Sequence, residues 1–400
     1  MIDPTHRLHR PLDGVRVLDL TRLLPGPMAT LALADLGASV DKLEDPAPGD
    51  YLRNMPPLTG DLGHTYFALN RDKRSLVVDL KHPAGPGLLL GLVRRYDVLV
   101  EGFRPGVLDR LGVGHDTLLR AHPGLVVCAI TGYGQDGPLA RRAGHDLNYL
   151  ARAGVLGVTG PADAAPMVSG AQMADVAGGA QWAVSAVLAG LLQRARTGRG
   201  CVADIAMCEG SVPLAAYALT AALHAEAPTP RGLGALDGGL AVYNTYRTRD
   251  GEAVALGALE PKFWMAFAAG AGIDPDLEAL MPGPHQTTLK RRLAEVFAAR
   301  TRADWEAFSA AHDCCLEPVL APADLPSDPQ HAARGVFFPV ADVSGAAVTC
   351  FRTPLGSHTP VAHRPARHAG ADTVAVLRDA GFDPEAIDVL LASGAAVQRG

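Results

Sequence analysis

The chain alternates short apolar runs with longer stretches in which apolar residues recur every three or four positions. "VRVLDL" (15–20) is rich in β-branched and aliphatic residues and predicts a buried strand. "PGPMATLALADLG" (25–37) follows as turn, helix and terminal glycine, and "SVDKLE" (39–44) as a second strand. The pattern continues with a helix near 84–95, a strand "DVLVEG" (97–102), a helix near 115–121 and a strand "LVVCAITGYG" (125–134). Strands separated by helices predict a parallel sheet covered on both faces, an α/β, Rossmann-like layout. A long helix is expected from Asp175, as N-cap, to Arg196, with Gly198 as its stop. "CVADIAMCEGSVPLAAYALTAAL" then reads as strand followed by helix, and "HAEAPTPRGLGA" (224–235) as a linker. Residues 240–330 mix short strands, "AVYNTYRT" and "AVALGAL", with helices over 261–272, 287–299 and 303–312, the pattern of a smaller α+β domain. From 331 the chain is rich in Pro, Ala and His, with little periodicity until a last helix near 371–380.

Composition narrows the class. The 400 residues are 48% hydrophobic and 20% charged, ample for a globular core. Net charge is −6 with both signs interspersed, and no basic block is long enough to track a nucleic-acid backbone. "WAVSAVLAGLL" (182–192) falls short of the ~20 apolar residues that span a bilayer, so a buried core helix is expected and no membrane partner. No secretory h-region opens the chain. The cysteines at 128, 201, 208, 314, 315 and 350 form no C-x-x-C pair, so neither a zinc site nor a disulfide framework is indicated and a cytoplasmic setting is expected. The first strand leads into "TRLLPGPM" rather than G-x-G-x-x-G, which disfavours a nicotinamide or flavin cofactor despite the fold class.

Two basic segments follow neighbouring strands. "NRDKRSLVVDLK" (70–81) carries Arg71, Lys73, Arg74 and Lys81, and "EGFRPGVLDRLG" (101–112) carries Arg104 and Arg110. Either is readable as a solvated turn or as a phosphate-binding patch, since guanidinium and ammonium groups pair with phosphate. "AGHDLNYL" (143–150) crowds His145, Asp146, Asn148 and Tyr149 behind Gly144. Taken singly, His145 reads as a structural histidine, Asp175 as a helix cap, and Glu260 in "GALEPKFW" as an acid favoured by a helix start.

Together the segments change that reading. "LDGVRVLDLTRLLPGPMATLALADLGASV", "NRDKRSLVVDLK", "EGFRPGVLDRLG", "GYGQDGP", "GHDLNYL", "TGRGCVADIAMCEG" and "YNTY…GALEPKFW" resemble, in order, the segments of the type III CoA-transferase superfamily. Within it they look most like the 2-methylacyl-CoA racemases, over about residues 12–320. The resemblance implies a large Rossmann-like CoA-binding domain from both chain ends (1–224 and 331–400) and a linker with a small α+β domain (225–330). It implies an interlocked homodimer and an acyl-CoA substrate, with coenzyme A belonging to the substrate and no separate cofactor or metal. The nucleotide end of CoA would meet Val78, Asp79, Leu80, Lys81, Gly102, Arg104 and Arg110, and the thioester end Gly144, Asp146, Asn148 and Tyr149. Asp175 would be the shared catalytic residue, His145 its opposite base, and Glu260 the residue orienting His145. Racemisation beside a thioester needs one base per face, and an imidazole of ordinary pKa ~6.5 is poised for it. Gly178 and Gly179 would let the enolate oxygen approach backbone N–H groups. Two positions depart from the family pattern: Asp45, where a basic residue is frequent, and Asn244, where the racemases carry an acid. The rival readings are a CoA-transferase in which Asp175 becomes covalently acylated, and a protein that binds acyl-CoA without turning it over.

Overall fold

The computed structural model describes residues 8–225, 229–356 and 361–399. Residues 226–228 of the predicted linker lie outside them. The chain divides into two compact units: Met1–Leu150, Ala171–Ser211 and Asp328–Gly400 in the first, Ala151–Gly170 and Val212–Ser327 in the second. The divisions therefore fall ahead of the expected 224 and 331, and the 151–170 segment joins the second unit.

The first unit runs β1 (Arg16–Leu20), α1 (Pro25–Asp35), β2 (Ser39–Glu44), a small hairpin of β3 (Leu58–Thr59) and β4 (Leu62–Gly63), α2 (His64–Asn70), β5 (Arg74–Val78), α3 (Gly85–Val93), β6 (Val98–Glu101), α4 (Val107–Arg110), α5 (His115–Ala121), β7 (Val126–Thr131) and α6 (Asp146–Arg152). A π-helical stretch, Ala174–Ala180, leads into α7 (Gln181–Thr197), β8 (Cys201–Ala206) and α8 (Met207–Ser211). In the second unit lie α9 (Ala216–His224), β9 (Tyr243–Arg247), β10 (Ala253–Gly257), α10 (Pro261–Ala271), α11 (Gln286–Ala298), α12 (Arg302–Ala311) and β11 (Leu316–Pro318). The chain returns to the first unit with α13 (Pro329–Ala333), β12 (Phe337–Ala341), β13 (Ala347–Phe351), α14 (Thr373–Asp379), α15 (Pro384–Ala392) and β14 (Ala396–Val397).

The large sheet has the order β14-β5-β2-β1-β6-β7-β8, parallel except for β14. Successive strands leave β1 in opposite directions, through β2 to β5 and through β6 to β7 and β8, so the order reverses between β1 and β6. In such sheets ligands bind outside the carboxyl ends of the strands at that reversal. The loop after β6, Gly102–Gly106, stands there. Leu18, Leu76, Leu99 and Val127 pack on one face with Leu88 and Leu89 of α3 and Val376 and Leu377 of α14. Leu31 of α1, Tyr66 and Phe67 of α2 and Val340 and Val348 of the β12–β13 hairpin form a second cluster. The smaller unit has its own aromatic core, in which Trp305 stands 4.7 Å from Phe297 between ring centroids.

Two expectations for this unit need correction. The tail holds more structure than its composition predicted: β12 and β13 pair antiparallel, and α15 follows the helix taken to be last, capped by the Asp383 side chain accepting from Ala386 N–H at 2.8 Å. Also, the helix over 182–192 is not a fully buried core helix. Ala183, Val184, Val187 and Gly190 are buried, with α7 packed on β7 and β8, while Trp182 is 47% and Leu192 62% exposed. The continuous helix Ala174–Thr197 is 24 residues long, enough by length and composition to cross a membrane.

Candidate active site

β7 delivers the chain to a glycine turn at 132–134, and a second turn ends at Gly144. Tyr149 of α6 locks both. Its ring lies so close to Gly132 and Gly144 that a Cβ there would come within 2.4 and 2.6 Å of it, and its hydroxyl donates to the Gly144 carbonyl at 2.5 Å. Tyr133 meets the same ring edge-on, with centroids 5.2 Å apart. Burial and the neighbouring Asp175 carboxylate push the Tyr149 hydroxyl up to about 12. Tyr149, 6% exposed, is thus a pillar under the turn and not a free ligand contact, which corrects its expected role. Asn148 is exposed but engaged: its Oδ1 accepts from the His145 N–H at 3.0 Å. His145 is held at the helix start with its imidazole exposed.

Asp146, the next residue, binds the other half of the site. Its Oδ1 accepts the Asp175 backbone N–H at 2.9 Å. Asp175 is the second residue of the π-helical stretch rather than the cap of an α-helix, since Met173 occupies the cap position. A π turn widens the helix and is frequent at functional sites. Burial raises the Asp175 pKa to about 6, the Asp146 carboxylate adds to the rise, and His145 opposes it. His145, Asp146 and Asp175 are therefore one electrostatic cluster containing two carboxylates and an imidazole. Gly178 and Gly179 do not line it: a Cβ on Gly178 would meet Ser211 Oγ at 2.3 Å and one on Gly179 would meet Met207 Cγ at 2.9 Å. These glycines let the helix pack closely on α8, and the expected enolate-binding role for them is withdrawn.

The two basic segments part company. Arg71 is 0% exposed, with its guanidinium on Asp35 at 2.7 Å, Asp72 at 2.7 Å and the Phe351 carbonyl at 3.1 Å. Lys73 is buried against Asp19, Thr30 and Asn70, and Arg74 pairs with Asp41 and Asp379. None is available to a phosphate. Val78 and Leu80 put their side chains into the core, and the Asp79 N–H donates to Ala395 at 2.9 Å, so little of that stretch can meet a ligand beyond exposed Lys81 and half-buried Asp79. Arg104 and Arg110, by contrast, are exposed, and among the described residues their side chains and that of Lys81 make no hydrogen bond or ion pair. A Cβ on Gly102 would have nothing nearer than 3.7 Å, which leaves open space beside them. Two residues of this region escaped the sequence reading, Glu101 and His115, which pair at 3.0 Å. An acid ending an apolar strand was the available signal for the first.

In the second unit, Glu260 sits at the N-cap position of α10 but makes no capping hydrogen bond. Among the described residues its exposed carboxylate has no hydrogen-bond or ion-pair partner. Asn244 donates to the carbonyls of Gly238 at 3.1 Å and Leu240 at 3.4 Å and accepts from Thr245 N–H at 2.9 Å. An ionised acid could not donate there, which accounts for the amide.

A CoA-transferase family III model matches residues 12–373, beyond the span of the sequence motifs. The chain belongs to CoA-transferase family III. The fold is similar to that of a CAIB/BAIF family protein from Brucella suis, whose solved structure superposes with a TM-score of 0.79 at 28% identity, covering 92% of this chain and 99% of that one. Human alpha-methylacyl-CoA racemase is 35% identical over 94% of this chain and 95% of its own length. Human succinyl-CoA:glutarate CoA-transferase is 38% identical over 60% of this chain and 55% of its own. The chain is thus an enzyme of a family that contains both kinds of chemistry.

Proposed function

We propose that this enzyme inverts the α-carbon of 2-methyl-branched acyl-CoA thioesters by two-base proton transfer. The observation that carries this reading is the juxtaposition of His145 with an Asp175 whose pKa is raised to about 6. A carboxyl group titrating near neutrality can both take and return a proton, and so can an imidazole. One removes the proton from one face of the α-carbon, giving an enolate conjugated with the thioester, and the other protonates the opposite face. The roles reverse for the other enantiomer. The thioester carbonyl supplies the electron sink, so the step needs no redox cofactor, and coenzyme A enters with the substrate. Arg104, Arg110 and Lys81 are the free cations for its phosphates. The racemase relative, which matches along nearly the whole chain, is in keeping with this reading, although transferase relatives match as widely.

We further propose a cytoplasmic, interlocked homodimer in which Glu260 of one copy orients His145 of the other. The unpaired Glu260 carboxylate supports this, as do exposed apolar residues on α7 (Trp182, Leu192) and, in the other unit, on α9 (Tyr217 and Leu223, 63% and 70% exposed). Apolar surface of this kind marks interaction sites. Co-refolding His145→Ala with Glu260→Ala protein should regenerate activity through mixed dimers, and an active monomer in sedimentation would refute the arrangement.

The second reading is transfer of CoA between acids with Asp175 as nucleophile, favoured by the transferase relatives. The deciding experiment incubates a single-enantiomer 2-methylacyl-CoA in D₂O. Racemisation predicts α-deuterium in both enantiomers and no adduct on the Asp175 peptide. Exchange of CoA between two acids, with a hydroxylamine-sensitive adduct on that peptide, would select the transferase.

A further inference from the structure

Behind the free arginines lies a pair that neither proton transfer nor phosphate binding uses. Glu101, the last residue of β6, is 2% exposed. One of its oxygens, Oε2, accepts the backbone N–H of Phe103 at 2.7 Å. The other, Oε1, meets His115 Nε2 at 3.0 Å. A buried carboxylate thus ties the first residues of the loop Gly102–Gly106 to the start of α5. The carboxylate has no other side-chain partner among the described residues, so the hold on its second oxygen depends on His115 alone.

We propose that His115 is a positioning residue for the CoA-binding loop, and that its protonation sets how tightly the loop, and with it Arg104, is held. The inference rests on the acyl-CoA reading above. A protonated imidazole makes a charge-assisted bond to Glu101, roughly twice as strong as the neutral one. The groups around the ring are Glu101 from β6, Asp109 from α4, Asp204 from β8 and Arg104 of the loop. The Glu101 hydrogen bond raises the His115 pKa, partial burial opposes the rise, and the charges of Glu101, Asp109 and Asp204 add to it. The hold is therefore complete below the ordinary histidine value of 6.5 and is lost as pH rises through the higher value in the folded protein. Phosphate groups of CoA do not titrate across the upper part of that range, their second pKa being about 6.

The test measures binding of coenzyme A itself to the intact enzyme by calorimetry, from about pH 6.5 to about pH 9, in wild type, His115→Gln and His115→Ala. Imidazole titration is followed in parallel by NMR. Wild-type affinity should fall roughly five- to tenfold across the His115 transition, the scale separating a charged from a neutral hydrogen bond. His115→Gln, which keeps a donor without a titrating charge, should bind with a flat profile near the wild-type high-pH value. His115→Ala should be flat and weaker. Thermal unfolding confirms that each variant is folded. Coenzyme A binding that keeps the wild-type pH profile in His115→Gln overturns this inference while leaving the acyl-CoA reading intact. A wild type that binds no coenzyme A at any pH overturns both.

Discussion

Two carboxylate clusters of the first unit, one fully buried and one half-buried, are treated in opposite ways. Asp19, fully buried on β1, accepts from Thr21 N–H at 2.9 Å and from the Thr30 hydroxyl at 2.6 Å, and pairs with Lys73 at 3.2 Å. Lys42 next to it pairs with Asp50 at 3.1 Å, and Glu44 with Arg53 at 2.5 Å. Burial would raise the Asp19 pKa, but Lys42, Lys73 and the two hydroxyls outweigh it and lower the value to about 2. In the other cluster Asp175 faces Asp146, no lysine or arginine pairs with either among the described residues, and burial raises the pKa to about 6. Complete compensation makes a charge structural and inert. Incomplete compensation leaves a proton that moves near neutral pH, at some expense to stability.

The largest test of this contrast is Asp175→Asn. Racemisation should fall about 10²–10⁴-fold, the contribution of a positioned acid or base, as read by α-proton exchange. The variant should fold at least as stably as wild type near pH 7. A carboxyl raised from 3.8 to about 6 contributes stability that is full below 3.8 and is lost as pH rises through 6, and the amide escapes that loss. An Asp175→Asn protein that unfolds readily would place Asp175 among the structural charges.

Asp19→Asn should do the reverse. Removing one partner of a buried pair costs about 3–5 kcal/mol, read as a lower urea midpoint, while the variant that remains folded turns over substrate normally. The wild-type pH profile carries the same signature with opposite sign to that of Asp175. A carboxyl lowered from 3.8 to about 2 gives stability present above 3.8 and lost as pH falls through 2, about 2 kcal/mol from this one group.

Asp146→Asn should shift the balance without abolishing it. With the like charge gone, the Asp175 pKa should drop toward its ordinary range, and the acidic limb of the activity profile should move to lower pH by about a unit, the scale of one neighbouring charge. An unmoved limb would separate Asp146 from the tuning of Asp175. The smallest effect belongs to Tyr149→Phe, which removes the bond to the Gly144 carbonyl and leaves the ring in place. Its cost should be about 1 kcal/mol of stability, with a modest fall in activity as the His145 turn loosens.

Much of this was legible in the chain. β2 spans the residues of "SVDKLE", and α3, α5, α7 and α10 to α12 fall within a few residues of their periodic patterns, because apolar spacing records which face of an element is buried. The ordered motifs also carried the family and, with it, the expectation that His145 acts opposite Asp175. The tail was less legible: β12, which contains Pro339, and β13 form a two-stranded hairpin whose alternation over five residues each is too short to stand out from loop.

What the sequence by itself determined is the inventory: an α/β chain of this family, with its acids, bases and arginines in known order. Which charges act and which only hold the fold was decided by tertiary structure. Arg71, Lys73 and Arg74 look as free in the sequence as Arg104 and Arg110, yet the first two are buried and all three are paired, with Asp35, Asp19 and Asp41, residues 33 to 54 positions away. Asp175 read as a cap and is instead a carboxyl with a displaced pKa, because burial raises it and Asp146, brought against it across 29 residues of chain, adds to the rise. The energy of a charge depends on its distance to other charges and on the water it keeps, and both are set only when the sheet brings remote segments together.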